Sequence, residues 1–446
     1  MPNFLLIGNG AREHAIAQAV CKKAGVKLFA YMNAKNPGIM KLCLSSGGEF
    51  TIGDIENGPE IVEWTKGKKI DLAFASPDAV LAAGVGGELE NAQIRCASPT
   101  RFASRIEWDK KYLRDLMQRH SIEGCPEYKH FTSTKGVDEF IDKLGEVAIK
   151  PVGLTGGKGV KVMGFQLADI KEAKKYARDV LVNSIGGEGG LIVEKKLEGE
   201  EFTLMAFCDG KTLVAMPCVQ DHKQAYNEDM GPNTGGMGSY TDNTKLLPFM
   251  KNSDYEQAQK IMENIMEALL KEEVVFKGVM YGQFMAGKEG VQVIETNARF
   301  GDPEAMNVLA LLKASLYDVF DKIADAKLSE IEIDWETSAT VVKYLVPNGY
   351  PEKSVAAEEI YVDSDVLKDS GAQIYFASVE KKEGKIYSGK SRSVAVLGKA
   401  DTISNAEKIA EVGCTALTGP LWHRGDIGTA ELIEKRIAHM KQLRGE

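Results

Sequence analysis

The first strand, turn and helix of this chain restrict its fold more than any other stretch. Phe4-Leu5-Leu6-Ile7 is a short apolar run, and Gly8-Asn9-Gly10 is a turn. From Ala11 to Lys23 the apolar residues 15, 16, 19 and 20 return with a helical period. Leu28 to Tyr31 and Leu72 to Ala75 repeat the buried-strand pattern. Strands alternating with helices imply βαβ units and a parallel sheet.

The turn and helix start read GNGAREH (8–14). A glycine turn between strand and helix favours an anion at the helix N-terminus. A plain tight turn leaves Arg12 and His14 unexplained, because cations at that end oppose the helix dipole. The run is not a dinucleotide fingerprint: Glu13 replaces the last glycine, and Tyr31-Met32-Asn33 supplies no ribose-binding acid. Gly8, Gly10, Arg12, Glu13 and His14 are therefore candidate contacts for a phosphate-bearing substrate.

Three further motifs carry charge where packing does not require it. Lys150 through Val160 is a glycine loop flanked by lysines, a phosphate signal without the Ser/Thr of the GxxxxGK[ST] pattern. The apolar Leu191-Ile192-Val193 runs into Glu194-Lys195-Lys196-Leu197, with Glu201 seven positions after Glu194. A strand end of this kind can offer backbone groups to a purine edge, and a later carboxylate can bond a ribose. Val291-Gln292-Val293-Ile294 leads into Glu295-Thr296-Asn297-Ala298-Arg299. Period-2 alternation places Glu295, Asn297 and Arg299 on one face. A carboxylate beside a carboxamide oxygen suits Mg²⁺ with phosphate, and Arg299 can neutralise a transferring phosphoryl group.

Residues 220–238, QDHKQAYNEDMGPNTGGMG, have neither a strand nor a helix period. Asp221, His222 and Lys223 open the stretch, and glycines around Pro232, Asn233 and Thr234 close it. Its composition suits a loop that cradles a polyanionic substrate.

The net charge of −9 excludes a general binder of nucleic acid or anionic membrane. Seven scattered cysteines without CxxC spacing fit reduced thiols and no metal centre. The start lacks a signal-peptide pattern and no apolar run reaches membrane-spanning length. A cytoplasmic location follows. The remaining elements are charged helical sequence from Arg105 to Arg119, a small β/α unit from about Cys125 to Leu191, and alternating residues 191–207. An amphipathic helix over 255–271 precedes strands at 279–286 and 291–296. A strand-rich last segment ends in a helix from about Thr429 to Leu443.

In this order the motifs resemble the glycinamide ribonucleotide synthetase family of the ATP-grasp superfamily. The resemblance runs from GNGAREH through SPDAVL (76–81), SPT (98–100), GLTGGKGV (153–160), LEGEE (197–201), QDHK (220–223) and GPNTGGMG (231–238). It continues through ETNARFGDPE (295–304), NGYP (348–351) and RGDIG (424–428). Asp109-Lys110, Val152, Thr296 and Ala298 depart from the commonest family residues without removing a charge the chemistry needs.

The resemblance implies an α/β and α+β multidomain fold. A Rossmann-like N-terminal domain occupies 1–104, and an ATP-grasp core occupies 105–124 and 192–332. A mobile lid covers 125–191, and a β-rich C-terminal domain 333–446. It implies ATP contacts on Lys110, Lys150, Gly153, Gly156, Gly157, Lys158, Glu194, Lys195, Leu197 and Glu201. Mg²⁺ or Mn²⁺ falls on Glu295, Asn297 and Gln283. Substrate contacts fall on the helix start, on Asp221 to Lys223, on Pro232, Asn233, Thr234, Gly235, Gly236 and Met237, and on Arg299. Lys150, Arg299, Asp221 and Lys223 are the catalytic candidates. The implied reaction joins glycine to 5-phosphoribosylamine through glycyl phosphate, in a monomer without nucleic-acid or membrane partners. Another ATP-grasp ligase or carboxylase is the nearest competing reading. A non-catalytic nucleotide binder is disfavoured by the full set of Lys150, Glu295, Asn297 and Arg299, and a nicotinamide dehydrogenase by the failed fingerprint.

Overall fold

Phe4, Leu5, Leu6 and Ile7 are fully buried, because their strand, Asn3–Ile7, lies inside a sheet covered on both faces. The computed structural model describes residues 1–153 and 159–446. The N-terminal sheet is parallel, as expected, in the order Phe50–Ile52, Lys27–Met32, Asn3–Ile7, Leu72–Ala75. Strand order reverses between Asn3–Ile7 and Leu72–Ala75, and ligands of such sheets bind at the carboxyl ends beside that reversal. Here those ends are the Gly8–Gly10 turn and Ser76-Pro77.

The central sheet is antiparallel: Leu213–Ala215, Glu200–Asp209, Lys277–Gly287 and Gly290–Asn297. The helix Asn252–Lys271 covers one face with Ala258, Ile261, Met262, Ile265, Met266 and Leu269, the stripe read from its period. The helical sequence expected from Arg105 to Arg119 is broken at Asp109. Its carboxylate accepts the Tyr112 N–H at 3.0 Å and starts a second helix, Lys110–Arg119.

A smaller antiparallel sheet, in the order Tyr128–Phe131, Leu191–Lys195, Val147–Pro151, Lys161–Val162, carries the helices Val137–Leu144 and Ile170–Val182. Its apolar core, around Ile141, Val147, Ile149, Ala177 and Val193, is separate from the main one. The lid boundary expected at 191/192 falls after the first residue of the strand Leu191–Lys195, which pairs on both sides within this sheet, so the unit runs on to Lys195.

The third sheet joins the order Gln220–Asp221, Gly238–Thr241, Ala339–Pro347, Val394–Ala400, Gln373–Phe376. Its first strand, and the first residue of its second, come from the stretch read as lacking strands, and Gln224–Tyr226 and Met230–Asn233 form a hairpin between them. Pairing imposes these strands, each two to four residues long. Periodicity needs longer runs to show. The C-terminal helix, Ala430–Arg444, is capped by the Thr429 hydroxyl, which accepts the Leu432 N–H. No helix among the described residues is long and apolar enough to cross a membrane.

Candidate functional site

The strand Gly290–Asn297 would fail as a site if it were regular. Val291 and Val293 are core residues, and strict alternation would send Glu295 into the core with them. A β-bulge prevents this. Gln283 pairs with Glu295, but the next residue, Phe284, pairs with Val293, which leaves Ile294 over. The extra residue turns Glu295 to the face opposite Val293, beside Gln283.

The bulge is held from outside its sheet. The Ile294 carbonyl accepts from Lys150 Nζ at 2.7 Å and from Arg114 Nη2 at 2.9 Å, and Arg114 also donates to the Val293 carbonyl at 2.9 Å. Arg114 forks onto Glu194 at 2.7 and 3.1 Å, and Lys150 pairs with the same carboxylate at 2.7 Å. All three side chains are almost fully buried. Burial alone would push Glu194 up, but Arg114 and Lys150 reverse this and hold it at about 2. The network clips the small sheet to the bulge. Both side-chain oxygens of Glu194, a residue expected at the nucleotide, are committed to this clip.

Around Glu295 stand Lys223, Lys110, Lys150 and Arg299. Burial raises its carboxyl, but these cations prevail and keep it below the ordinary range. Neither Glu295 nor Asn297 makes a side-chain hydrogen bond among the described residues. Gln283 Nε2 donates to Glu201 Oε2 at 2.7 Å, while its Oε1 is buried without a partner. An orphaned carboxamide oxygen opposite a free carboxylate, with Asn297 two residues on, is an oxygen-only donor set. It fits a hard divalent cation. Arg299 is aimed by Glu107, its Nε 3.1 Å from Glu107 Oε1 without hydrogen-bond alignment, and by its place 5.7 Å from the Tyr281 ring.

Lys110 Nζ donates to the Gly153 carbonyl at 3.1 Å, at the entrance to the glycine loop. Gly156, Gly157 and Lys158 lie outside the described residues. Lys195 is exposed, and its backbone N–H is taken by Glu127. Leu197 is half-buried, and Glu201 lies 3.8 Å from Lys223.

In the 220–238 stretch, the acceptor loop of the implied reaction, several of the expected contact residues have internal partners. Met237 is fully buried and belongs to the core. His222 is buried against Tyr240, and burial, then Arg424, lower it to about 3, so its ring is neutral; both ring nitrogens are buried without a hydrogen bond among the described residues. Thr234 closes the turn: its hydroxyl donates to the Lys223 carbonyl at 2.9 Å and accepts the Gly236 N–H at 3.0 Å. Gly235 and Gly236 turn carbonyls to the Arg392 guanidinium, at 2.6 and 2.9 Å, where amides facing an anion were expected. Gly236 has φ +108°, and a Cβ there would lie 2.5 Å from Asp221 Oδ1. Pro232 and Asn233 lie on the hairpin, where Asn233 Oδ1 accepts from Gln166 of the small sheet's unit at 3.3 Å. Asp221 Oδ1 is buried without a hydrogen bond among the described residues. Burial, then Glu304 nearby, push its carboxyl well above the usual range, against Lys223 and Arg392.

Glu13 is buried and takes the Gly10 N–H, the Ser76 hydroxyl and Arg12 Nε, each at 2.6 Å. Arg12 also donates to the Phe300 carbonyl at 3.1 Å. His14 Nδ1 accepts the Phe376 N–H at 3.0 Å, and burial lowers it to about 4. The first-turn charges are therefore answered internally, and no anion is needed to explain them. Gly8, at φ +119°, is kept free of a side chain by Glu13 and Pro77. The opening remains beside this turn. A cavity of about 800 Å³ separates Asn9, Gly10 and Asn33 from Ser378, Lys390 and Arg392. Sequence reasoning missed the C-terminal wall, because SGKSRS carries no spacing signal.

A four-stranded antiparallel core, a small sheet clipped over its last strand and lysines gathered at that strand's end define an ATP-grasp protein. Family comparison is specific. The phosphoribosylglycinamide synthetase N domain matches residues 2–107, its ATP-grasp (A) domain 108–305 and its C domain 340–430. The phosphoribosylamine–glycine ligase of Methanosarcina barkeri is 49% identical over 445 residues, 99% of this chain and 100% of the relative. That of Methanobrevibacter smithii is 46% identical over 98% of this chain and 99% of its own length. The crystal structure of phosphoribosylamine–glycine ligase from Thermotoga maritima superposes with a TM-score of 0.80 at 22% identity, covering 95% of this chain and 99% of that one. The chain belongs to the phosphoribosylglycinamide synthetase family.

Proposed function

We propose that this ligase joins glycine to 5-phosphoribosylamine at the expense of ATP, giving glycinamide ribonucleotide, ADP and phosphate. The observation that carries the reading is the gathering of Lys110, Lys150, Lys223 and Arg299 about the re-phased Glu295. ATP phosphates lie along Lys110, Lys150 and the loop from Gly153, with Lys195, Leu197 and Glu201 at the nucleoside end. Mg²⁺ or Mn²⁺ held by Glu295, Asn297 and Gln283 supplies further neutralisation of phosphate charge.

A glycine carboxylate oxygen attacks the γ-phosphorus, and ADP leaves. Arg299 and Lys150 stabilise the charge spread over the transferring group, which is chiefly positioning and electrostatics. The amine of phosphoribosylamine then attacks the acyl carbon of glycyl phosphate, an amide bond forms and phosphate leaves. Asp221 takes the proton the amine must lose, supported by its unpartnered buried Oδ1 and its raised carboxyl. The phosphoribosyl group occupies the cavity between Gly10 and the C-terminal wall. The chain works as a cytoplasmic monomer on small molecules.

Glycine- and phosphoribosylamine-dependent ADP release is the direct test. AMP as product, equal ADP release without glycine, or better turnover with bicarbonate would overturn it. Asp221→Asn is expected to lower kcat about a hundredfold, the usual worth of a general base. Unchanged kcat in this variant removes Asp221 from the proton transfer.

A further inference from the structure

Arg392 reaches from the C-terminal segment into loops that sequence assigns elsewhere. Its Nη1 lies 2.6 Å from the Gly235 carbonyl, 2.9 Å from Gly236 and 2.8 Å from Asp302, and Nη2 donates to Asp302 Oδ2 at 2.9 Å. The guanidinium sits 4.5 Å from the Tyr344 ring, and the Tyr344 hydroxyl donates to the other Asp302 oxygen at 2.5 Å. A flat fork backed by an aromatic face is a rigid arrangement that a lysine cannot reproduce. Each loop it holds leads to a candidate reacting group. Gly236 lies against Asp221 Oδ1, and a Cβ on it would also meet Pro303, next to Glu304. Arg392 and Asp302 both line the cavity beside Gly10.

We infer that Arg392 is a positioning residue for the second half of the reaction, fixing Gly236 and the Asp302 loop so that Asp221, packed against Gly236, is held in one alignment. The inference rests on reading that cavity as the phosphoribosylamine pocket. Arg392 touches none of Lys110, Lys150 or Glu295, so formation of glycyl phosphate does not depend on it. A misplacement of about 1 Å costs on the order of a hundredfold.

Arg392→Lys and Tyr344→Phe separate the two halves. Glycyl phosphate formation is followed by glycine-dependent scrambling of the β,γ-bridge oxygen of ATP without the amine. Amine transfer is followed by kcat/KM for phosphoribosylamine. Arg392→Lys is expected to lower that kcat/KM about a hundredfold, mainly through kcat, with scrambling within about twofold of wild type. Tyr344→Phe, which keeps the ring and loses one bond to Asp302, should fall about tenfold in the same direction. It carries the test if Arg392→Lys does not fold. Scrambling and kcat/KM lost in parallel, or an unchanged kcat/KM for the amine, overturn the inference while wild-type activity stands. A wild type lacking amine-dependent ADP release overturns the functional reading beneath it.

Discussion

Glu295→Gln should lower ligase turnover by about a thousandfold while leaving the fold in place. Lys223, Lys110, Lys150 and Arg299 all attract this carboxylate, and together they outweigh the cost of its burial. It also provides the charged oxygen of the set completed by Asn297 and Gln283. Glutamine fills the same space without the charge, so the divalent cation is lost with it. Several kcal/mol of electrostatic stabilisation go from the transition state, and each ~1.4 kcal/mol is tenfold in rate. Folding stability should change by only about 1 kcal/mol, because relief of carboxylate burial offsets the lost attractions. Metal-dependent ADP release and urea unfolding, measured on the same sample, check both halves. Activity within about tenfold of wild type would exclude Glu295 as a metal ligand.

Arg114→Met should be the costliest single change for stability, at about 3–5 kcal/mol, the range for breaking a buried ion pair. Methionine fills much of the volume, but Glu194 keeps only Lys150, and the Val293 and Ile294 carbonyls lose a donor. Activity should fall as well, since the bulge that aims Glu295 loses half its support. A double variant with Glu194→Met should recover part of the stability by removing the stranded carboxylate. The pair also predicts an acid response. Glu194 is held at about 2 in the folded chain, against ~4.3 unfolded, which contributes on the order of 3 kcal/mol. A depressed carboxyl stabilises above its unfolded value, so this contribution is full above about pH 5 and is lost as pH falls from 4 toward 2. Wild type should therefore lose stability more steeply than the double variant across that window. Parallel curves, or a loss below about 1 kcal/mol for Arg114→Met, would sink the account.

The parts of the fold that periodicity governs were legible. The parallel sheet followed from the alternation near the N-terminus, and the stripe on Asn252–Lys271 from its period. The site was legible in its charges and less so in their use. Glu295 was found on an alternation that the bulge at Ile294 breaks, since one extra residue leaves no mark in an apolar run. Arg114 sits in KKYLRDLMQR among other charges, and only the tertiary fold shows it to be the buried one. The glycines of the acceptor loop pointed to a close approach. Whether the approaching group was an anion or Arg392 depended on residues more than 150 positions away. His14 and Glu13 misled for a related reason: their partners, Phe376 and Ser76, are distant in sequence.

The strand Gly238–Thr241 pairs with Ala339–Pro347 from Gly238 opposite Lys343 to Thr241 opposite Thr340. The acceptor loop is thereby spliced into the sheet of the C-terminal segment. A recombination seam at 332/333, where the sequence invites one, would separate partners of a single ladder. Exchange of C-terminal segments between relatives would then have to carry the acceptor loop along, despite the hundred or so residues between them.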